Sequence, residues 1–347
     1  MRSPRKQSNG SNKQLVVNRP KRIKRDFGAI NPRFRPPSIA GQRINFTRRT
    51  LDRLHVSWRF GLLDESHLQR LLGSYGRQTH RELELTKAGL IYHPEAQVPL
   101  RAVCTDISWI TALTNRGAEV LAAKGYRIDP TNHRERYRRH KSYNAILHDL
   151  NRSDFLVEMD MACRSLNSRE GSDNTPAPTM RHQDELMGLP YTETISFPSM
   201  AVWKKEHRPL KIEPDGIFSL TLPNLPPDRA EKFFALEIDQ DTESNVRYRN
   251  FWEQKSVLKT MIAYAEAHKR GIVEEKLGFP NMRTIFVTTT DRHMENIIKD
   301  AKTHYVAQGY PANAILFVSR ERLEKFDPLS VEYKNAAGNS FIITELY

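Results

Sequence analysis

Three acids, Asp215, Glu237 and Asp239, carry the strongest chemical signal in the chain. Pro214-Asp215-Gly216 has the composition of a turn, and it precedes the strand-like run Phe233-Phe234-Ala235-Leu236-Glu237-Ile238-Asp239. Side chains alternate along a strand, so Glu237 and Asp239 emerge on one face while Leu236 and Ile238 fill the other. Two carboxylates on one face, joined by a third from a neighbouring strand, suit a hard divalent cation. An edge strand with solvated acids is the competing reading. Acids are depleted from strands and this run is otherwise apolar, which favours the metal.

Beyond the acids, Ser244 to His268 reads as a helix whose stripe is Phe251, Lys255, Leu258, Ile262 and Ala265. Lys255 then lies on the face turned to the sheet. An ammonium there needs a partner, and the nearest carboxylates are those of the Glu237 strand. The alternative is a lysine that snorkels to the helix edge. Lys259, at the margin of the stripe, is the reserve.

The order Pro-Asp, Glu-x-Asp on a strand, Thr242-Glu243-Ser244, a helix with Lys255-Ser256 and Tyr264, and the strand Ile285 to Thr289 resembles the replication-relaxation family. Its members belong to plasmids and other mobile elements. The resemblance covers about residues 50–325 and is strongest over 213–290. It implies an N-terminal winged helix joined to a domain related to the PD-(D/E)XK nucleases, with Asp215 and Glu237 as the metal-binding acids. Asp239 stands where the nuclease motif has its lysine, so the resemblance passes that role to Lys255. His148-Asp149 is similar to a His-Asp pair at this place in the family.

The elements that must position these groups begin after a tail. Residues 1–50 hold 14 Lys and Arg and one acid, Asp26, while the other 297 residues hold 40 bases and 40 acids. The whole surplus of +13 therefore sits in the tail. Pro, Ser, Asn and Gly dominate it, with too little apolar content to fold alone. A basic arm on a neutral body suits phosphate contacts, and Arg22, Lys24 and Arg25 are its densest cluster. A solubilising tail is the alternative.

Residues 51–126 read as a winged helix-turn-helix. Leu51, Leu54, Trp58 and Leu62 share a first helix, Asp64 caps a second that ends at Gly73, and a third runs from about Arg77 to Ala88. On the third, Thr79, Leu83, Thr86 and then Leu90 face inward, while Arg77, His80, Arg81, Glu84 and Ala88 face outward. Arg77, His80 and Arg81 are thus the expected DNA contacts in a major groove. Many winged helices bind protein instead. Thr114 caps a further helix to Gly125, and residues 127–141 form a basic connector.

The remainder, 142–325, reads as a restriction-endonuclease-like α/β (α+β) domain with a mixed sheet, followed by an extension over 326–347. It opens with a helix over 142–166 whose stripe of Tyr143, Leu147, Leu150, Val157 and Met161 includes Asp154, with Glu158 at the edge; either acid could join the metal. Residues 167–192 read as a mobile loop. Strands are expected at Thr194–Val202, Ile212–Leu222, Phe233–Asp239, Arg283–Thr288 and Ile315–Val318, with a helix over about 291–308. No glycine-rich phosphate loop, paired-cysteine zinc motif or serine nucleophile elbow is present.

No apolar run approaches membrane length, and two isolated cysteines, Cys104 and Cys163, fit a reducing cytosol. With the family's bacterial setting, the chain is expected in the cytoplasm, off the membrane. The expected function is a DNA-binding protein of plasmid or mobile-element replication or mobilisation, partnered by DNA and by replication or relaxase proteins. Its nuclease-like domain is expected to be non-cleaving or weakly active. The alternatives are a Mg2+ or Mn2+ dependent DNA endonuclease, using Asp215, Glu237, Asp239 and Lys255, and a winged-helix transcription regulator.

Overall fold

Thr47, Asp64 and Thr114 each accept a hydrogen bond from the backbone N–H three residues on, and each thereby starts a helix. The structure is a computed structural model and describes residues 44, 46–73, 78–98, 108–133, 142–169, 177–241, 252–253 and 255–345. Arg22, Lys24, Arg25 and Arg77, the cations of the connector from Arg134 to Lys141, Cys104 and the segment 242–251 lie outside these residues, as does the side chain of His80.

The first helices are α1 (Arg48–Phe60), α2 (Glu65–Leu72) and α3 (Gln78–Lys87). Two residues of β1 (Ile91–Tyr92) pair antiparallel with β2 (Ala112–Leu113), and α4 (Asn115–Ala123) follows. Leu54, Trp58, Leu85, Leu90, Leu113 and Leu121 form their common core. The inward face of α3 differs from the sequence expectation: Glu82, Leu85, Thr86 and Ala88 are buried, while Leu83 is only half-buried. The reason is electrostatic. Glu82 meets buried Arg53 of α1 at 2.5 Å, so an acid occupies a place that an apolar period assigns to a leucine.

The α/β part begins with α5 (Tyr143–Arg169), β3 (Thr179–Arg181) and α6 (Gln183–Met187). It continues through β4 (Phe197–Trp203), β5 (Glu206–Ile212), β6 (Gly216–Thr221), β7 (Glu231–Ile238), α7 (Val257–Lys269) and β8 (Arg283–Thr288). It ends with α8 (Asp291–His304), β9 (Ile315–Ser319), β10 (Glu332–Asn335) and β11 (Ser340–Ile342). Among the described residues seven strands form one mixed sheet in the order β11-β10-β9-β8-β7-β6-β3. Neighbours β7, β8 and β9 are parallel, and all other pairs are antiparallel.

Parallel neighbours need crossovers, and α7 and α8 supply them on one face, packed with Ile217, Ala235, Phe286, Ile315 and Phe317. The β4–β5 hairpin covers the outer side of α7, where the Ser199 hydroxyl donates to the Ala263 carbonyl at 2.6 Å. That double cover buries α7 almost all round. On the opposite face α5 brings Phe155, Leu156 and Met159 onto Phe218, Phe234, Ile285 and Leu316.

Phe60, Leu63, Leu68 and Leu71 join this same second cluster, so α5 is held between the sheet and α1–α2. This explains why its burial is wider than the single expected stripe, and why Tyr143 at the helix start stays 50% exposed. Where sequence suggests a loop over 167–192, β3 adds to the sheet edge beside β6 and the short α6 follows it. Residues 326–347, set apart by sequence as an extension, supply β10 and β11. The expected strand Ile212–Leu222 is split, with Ile212 closing β5 and β6 starting at Gly216.

Polar ties reinforce the apolar contact. Arg59 of α1 meets Asp184 at 2.9 Å and Glu185 at 2.8 Å, and Arg70 pairs with Glu158. His67 lies between Asp154 at 2.5 Å and Asp64 at 3.0 Å. Gly61 ends α1 at φ 85°, and a Cβ there would stand 2.3 Å from the Thr192 methyl. Asp154 and Glu158 therefore face α2 and do not serve the acid cluster.

Burial alone would lower the His67 pKa, but hydrogen bonds and charge from Asp154 and Asp64 outweigh it and raise it to about 9. A group whose folded pKa is raised contributes stability that is full below about 6.5 and lost as pH rises through about 9. Asp154→Asn is expected to move the alkaline loss of stability to lower pH, with little change at pH 5 relative to its own plateau. Chemical denaturation at a series of pH values checks this; an unshifted alkaline limb would contradict it.

Candidate functional site

β6 and β7 pair with Gly216 opposite Leu236, and one further step along that antiparallel register brings Asp215 opposite Glu237. The Asp215 N–H donates to the Leu236 carbonyl at 2.9 Å, and its Oδ2 accepts from the Ile238 N–H at 2.8 Å. The strand itself therefore fixes the carboxylate. Leu236 and Ile238 join the α5-side core, leaving Glu237 and Asp239 on the α7–α8 side, as alternation requires.

Asp215, Glu237 and Asp239 line one cavity of about 180 Å3 together with His148, Gln240, Lys255 and Thr260. Drug-sized pockets run from about 300 Å3 upward, so this volume suits a hydrated ion or a single phosphate group. Glu237 is deeply buried, and its Oε1 accepts from the Tyr264 hydroxyl at 2.6 Å. Burial first, and then the Asp215 charge, push its carboxyl well above the usual range, while Tyr264, Lys255 and His148 partly oppose them. The Tyr264 phenol is itself raised, by burial and then by the Glu237 charge.

His148 enters from α5, with Nε2 3.2 Å from Asp215 Oδ2 and Nδ1 3.5 Å from Asp149 Oδ1. Burial would lower its pKa, but the two carboxylates win and raise it to about 10. The imidazole is thus cationic at neutral pH. Asp239 points elsewhere: its Oδ2 lies 2.6 Å from His293 Nε2 of α8, and its Oδ1 accepts from the Asp241 N–H at 3.0 Å. His293 Nδ1 in turn faces Asp241 Oδ1 at 3.1 Å.

The three acids therefore share a cavity while Asp239 spends its carboxylate on a histidine. Among the described residues no group of three or more His, Cys, Asp and Glu side chains is arranged to hold a metal ion. Asp215 Oδ2 accepts from Ile238 and Glu237 Oε1 from Tyr264, and these two carboxylates are the ones a cation in the cavity would find.

Lys255 is in the site but not on the helix. Ser256 caps α7, its hydroxyl accepting from the Lys259 N–H at 3.3 Å, and Lys255 precedes the cap on an exposed segment. Its charge still reaches Glu237. The reserve, Lys259, is turned away and donates to the Trp252 carbonyl at 3.0 Å. Sequence reasoning missed Gln240 and His293. Gln240 Nε2 is buried without a hydrogen-bond partner among the described residues. The only sequence signal for Gln240 was its place directly after the acid strand, and His293 had none.

Of the expected DNA contacts, Arg81 is half-buried and engaged with Glu84 at 2.7 Å and with the Thr50 hydroxyl at 2.6 Å. Both partners restrain the guanidinium against the protein. No helix among the described residues is long and apolar enough to cross a membrane. The chain matches no protein-family model, no curated protein and no solved structure.

Proposed function

We propose that this is a DNA-binding protein of plasmid or mobile-element replication or mobilisation whose α/β body keeps a nuclease-like carboxylate site with little or no cleaving power. One observation carries the reading: Asp215 and Glu237 stand opposite one another on paired strands, at the floor of a small cavity that Lys255 also lines. Two facing carboxylates with a cation nearby form the minimum of a metal-dependent phosphodiester site. The helices α1–α3, β1–β2 and α4 form the winged-helix part of this reading, and the basic arm supplies sequence-independent phosphate contacts.

Two features favour weak chemistry. Asp239 holds the position of the nuclease lysine and is bonded to His293, and the His148 imidazolium already neutralises Asp215. Asp215 and Glu237 would hold a divalent cation, Mg2+ or Mn2+, through their carboxylates. When bound, such an ion would supply Lewis-acid polarisation of a phosphate. Lys255 would steady negative charge from the exposed side, and Tyr264 keeps Glu237 oriented.

Supercoiled, linear and single-stranded DNA incubated with the full chain, with and without Mg2+ or Mn2+, tests the reading. DNA is expected to be bound in every form, with nicking absent or slow. Either ion should raise the melting temperature of the wild type but not of Glu237→Ala, since a ligand that binds only the folded state stabilises it. No ion effect would remove the metal site. Rapid cleavage abolished by both Asp215→Ala and Lys255→Ala would establish the endonuclease alternative instead. Binding that survives every change in the α/β site, with no ion effect, would favour the transcription regulator.

A further inference from the structure

At the end of the sheet remote from the acids, a cleft of about 480 Å3 opens between the starts of β7, β8 and β9. Lys232 lies five residues before Glu237 on β7, about 16 Å away at ~3.3 Å per residue, so the cleft is separate from the acid cavity. Arg229, Lys232 and Arg283 all line it. Arg283 pairs in register with Phe234, and Lys232 lies two residues earlier on β7, which puts both cations on one face of the sheet.

Like charges so placed repel unless something answers them. Among the described residues neither Lys232 nor Arg283 has a carboxylate within ion-pair distance, although both are half-buried. The cleft's own acids have other partners, although the Asp228 charge also reaches Lys232. Glu231 Oε1 accepts from Arg181 at 2.7 Å and from Ser219 at 2.7 Å, and Asp228 pairs with Arg229 at 3.7 Å. Burial depresses the pKa of Arg283; burial and then the charges of Arg283 and Arg229 depress that of Lys232, against the opposing charge of Asp228. His268, at the end of α7, also lines the cleft, and its buried Nε2 has no hydrogen-bond partner among the described residues.

We propose that this cleft binds a phosphate group, with Arg283 and Lys232 as its cationic ligands and Arg229 at its rim. A guanidinium offers a planar fork that matches phosphate oxygens, and an ammonium beside it adds a point charge. A singly charged carboxylate would match only one of the two cations that lack an ion-pair partner among the described residues. The volume exceeds what a bare ion needs, so the phosphate would carry an attached group. That group is either the continuing backbone of a nucleic acid, which rests on the proposed function, or the remainder of a free phosphate compound.

Inorganic pyrophosphate is the probe, added to the full chain and read by calorimetry and thermal shift. It is expected to raise the melting temperature of the wild type, and Lys232→Gln with Arg283→Gln should weaken its binding at least 10-fold, while Arg283→Lys restores part of it. In parallel, the slope of log DNA affinity against log salt is measured. If the ligand is a phosphodiester backbone, the double variant should lose about 0.9 of slope, the value for the one phosphate contact that the two cations share. Lost pyrophosphate binding with an unchanged slope assigns the cleft to a free phosphate compound.

The proposal is overturned if the folded wild type binds no pyrophosphate and the variant's slope is unchanged, or if the double variant binds pyrophosphate as the wild type does. Lys232→Gln alone, checked by circular dichroism, keeps the test readable should the double variant unfold. A chain that binds no DNA at all defeats the proposed function, and the pyrophosphate arm still decides the cleft.

Discussion

Glu82→Ala is expected to destabilise the protein by about 3–5 kcal/mol, because it takes from the buried Arg53 guanidinium the carboxylate it meets inside a helical core. Glu82 and Arg53 are 2% and 5% exposed, and they meet at 2.5 Å. Water cannot take over for the missing carboxylate at that depth. The attraction itself is not the whole of the effect. Replacing both residues, Arg53→Met with Glu82→Leu, removes the desolvated charges together and should cost far less than the single change. Urea denaturation of the wild type, both single variants and the double variant measures the difference. A single Glu82→Ala cost below about 1 kcal/mol, within the range of an exposed pair, would show that the pair is solvated.

Glu237→Gln is expected to stabilise the metal-free protein at pH 8, by roughly one to a few kcal/mol, and to do little at pH 4. The sign follows from linkage. Burial and the Asp215 charge raise the folded pKa of Glu237 above its unfolded value of about 4.5, so the folded state holds the proton more tightly. Stability relative to the unfolded chain is full below about pH 4.5 and falls as pH climbs through the folded pKa. Glutamine keeps the shape and an acceptor for the Tyr264 hydroxyl but cannot ionise, so the variant should lose this alkaline decline. Denaturation curves between pH 4 and 8 read the effect directly. If wild type and variant ran parallel across that range, the carboxyl would not be the strained group inferred from its position.

The acid strand was legible because two simple periodicities agree on it. Alternation along Phe234 to Asp239 separates acids from apolar side chains, and the structure keeps that separation on either side of β7. Asp64, Thr114 and Gly73 likewise punctuate helices where their chemistry says they should. Lys255 was misplaced because the helical stripe was run through Ser256, although a serine three residues before Lys259 is itself a start signal. Local pattern could not place Glu82, whose burial depends on an arginine 29 residues earlier in the chain. Nor could it find His293, which reaches Asp239 across 54 residues. Short strands such as β3 and β11 carry too few residues for a period and are defined by the partners they find.

Phe60, Leu63, Leu68 and Leu71 are inserted into the same apolar cluster as the underside of the sheet. The consequence is a molecule that resists being treated as a kit of interchangeable parts. A fragment ending before α5 would present those four side chains to water and is a candidate for aggregation, whatever its affinity for DNA. Grafting the helical head onto another body would need a receiving surface shaped like α5. Limited proteolysis should accordingly release ends and loops first and leave head and sheet in a single resistant piece. A ligand gripped by the head would pull on the sheet through packed side chains instead of through a tether.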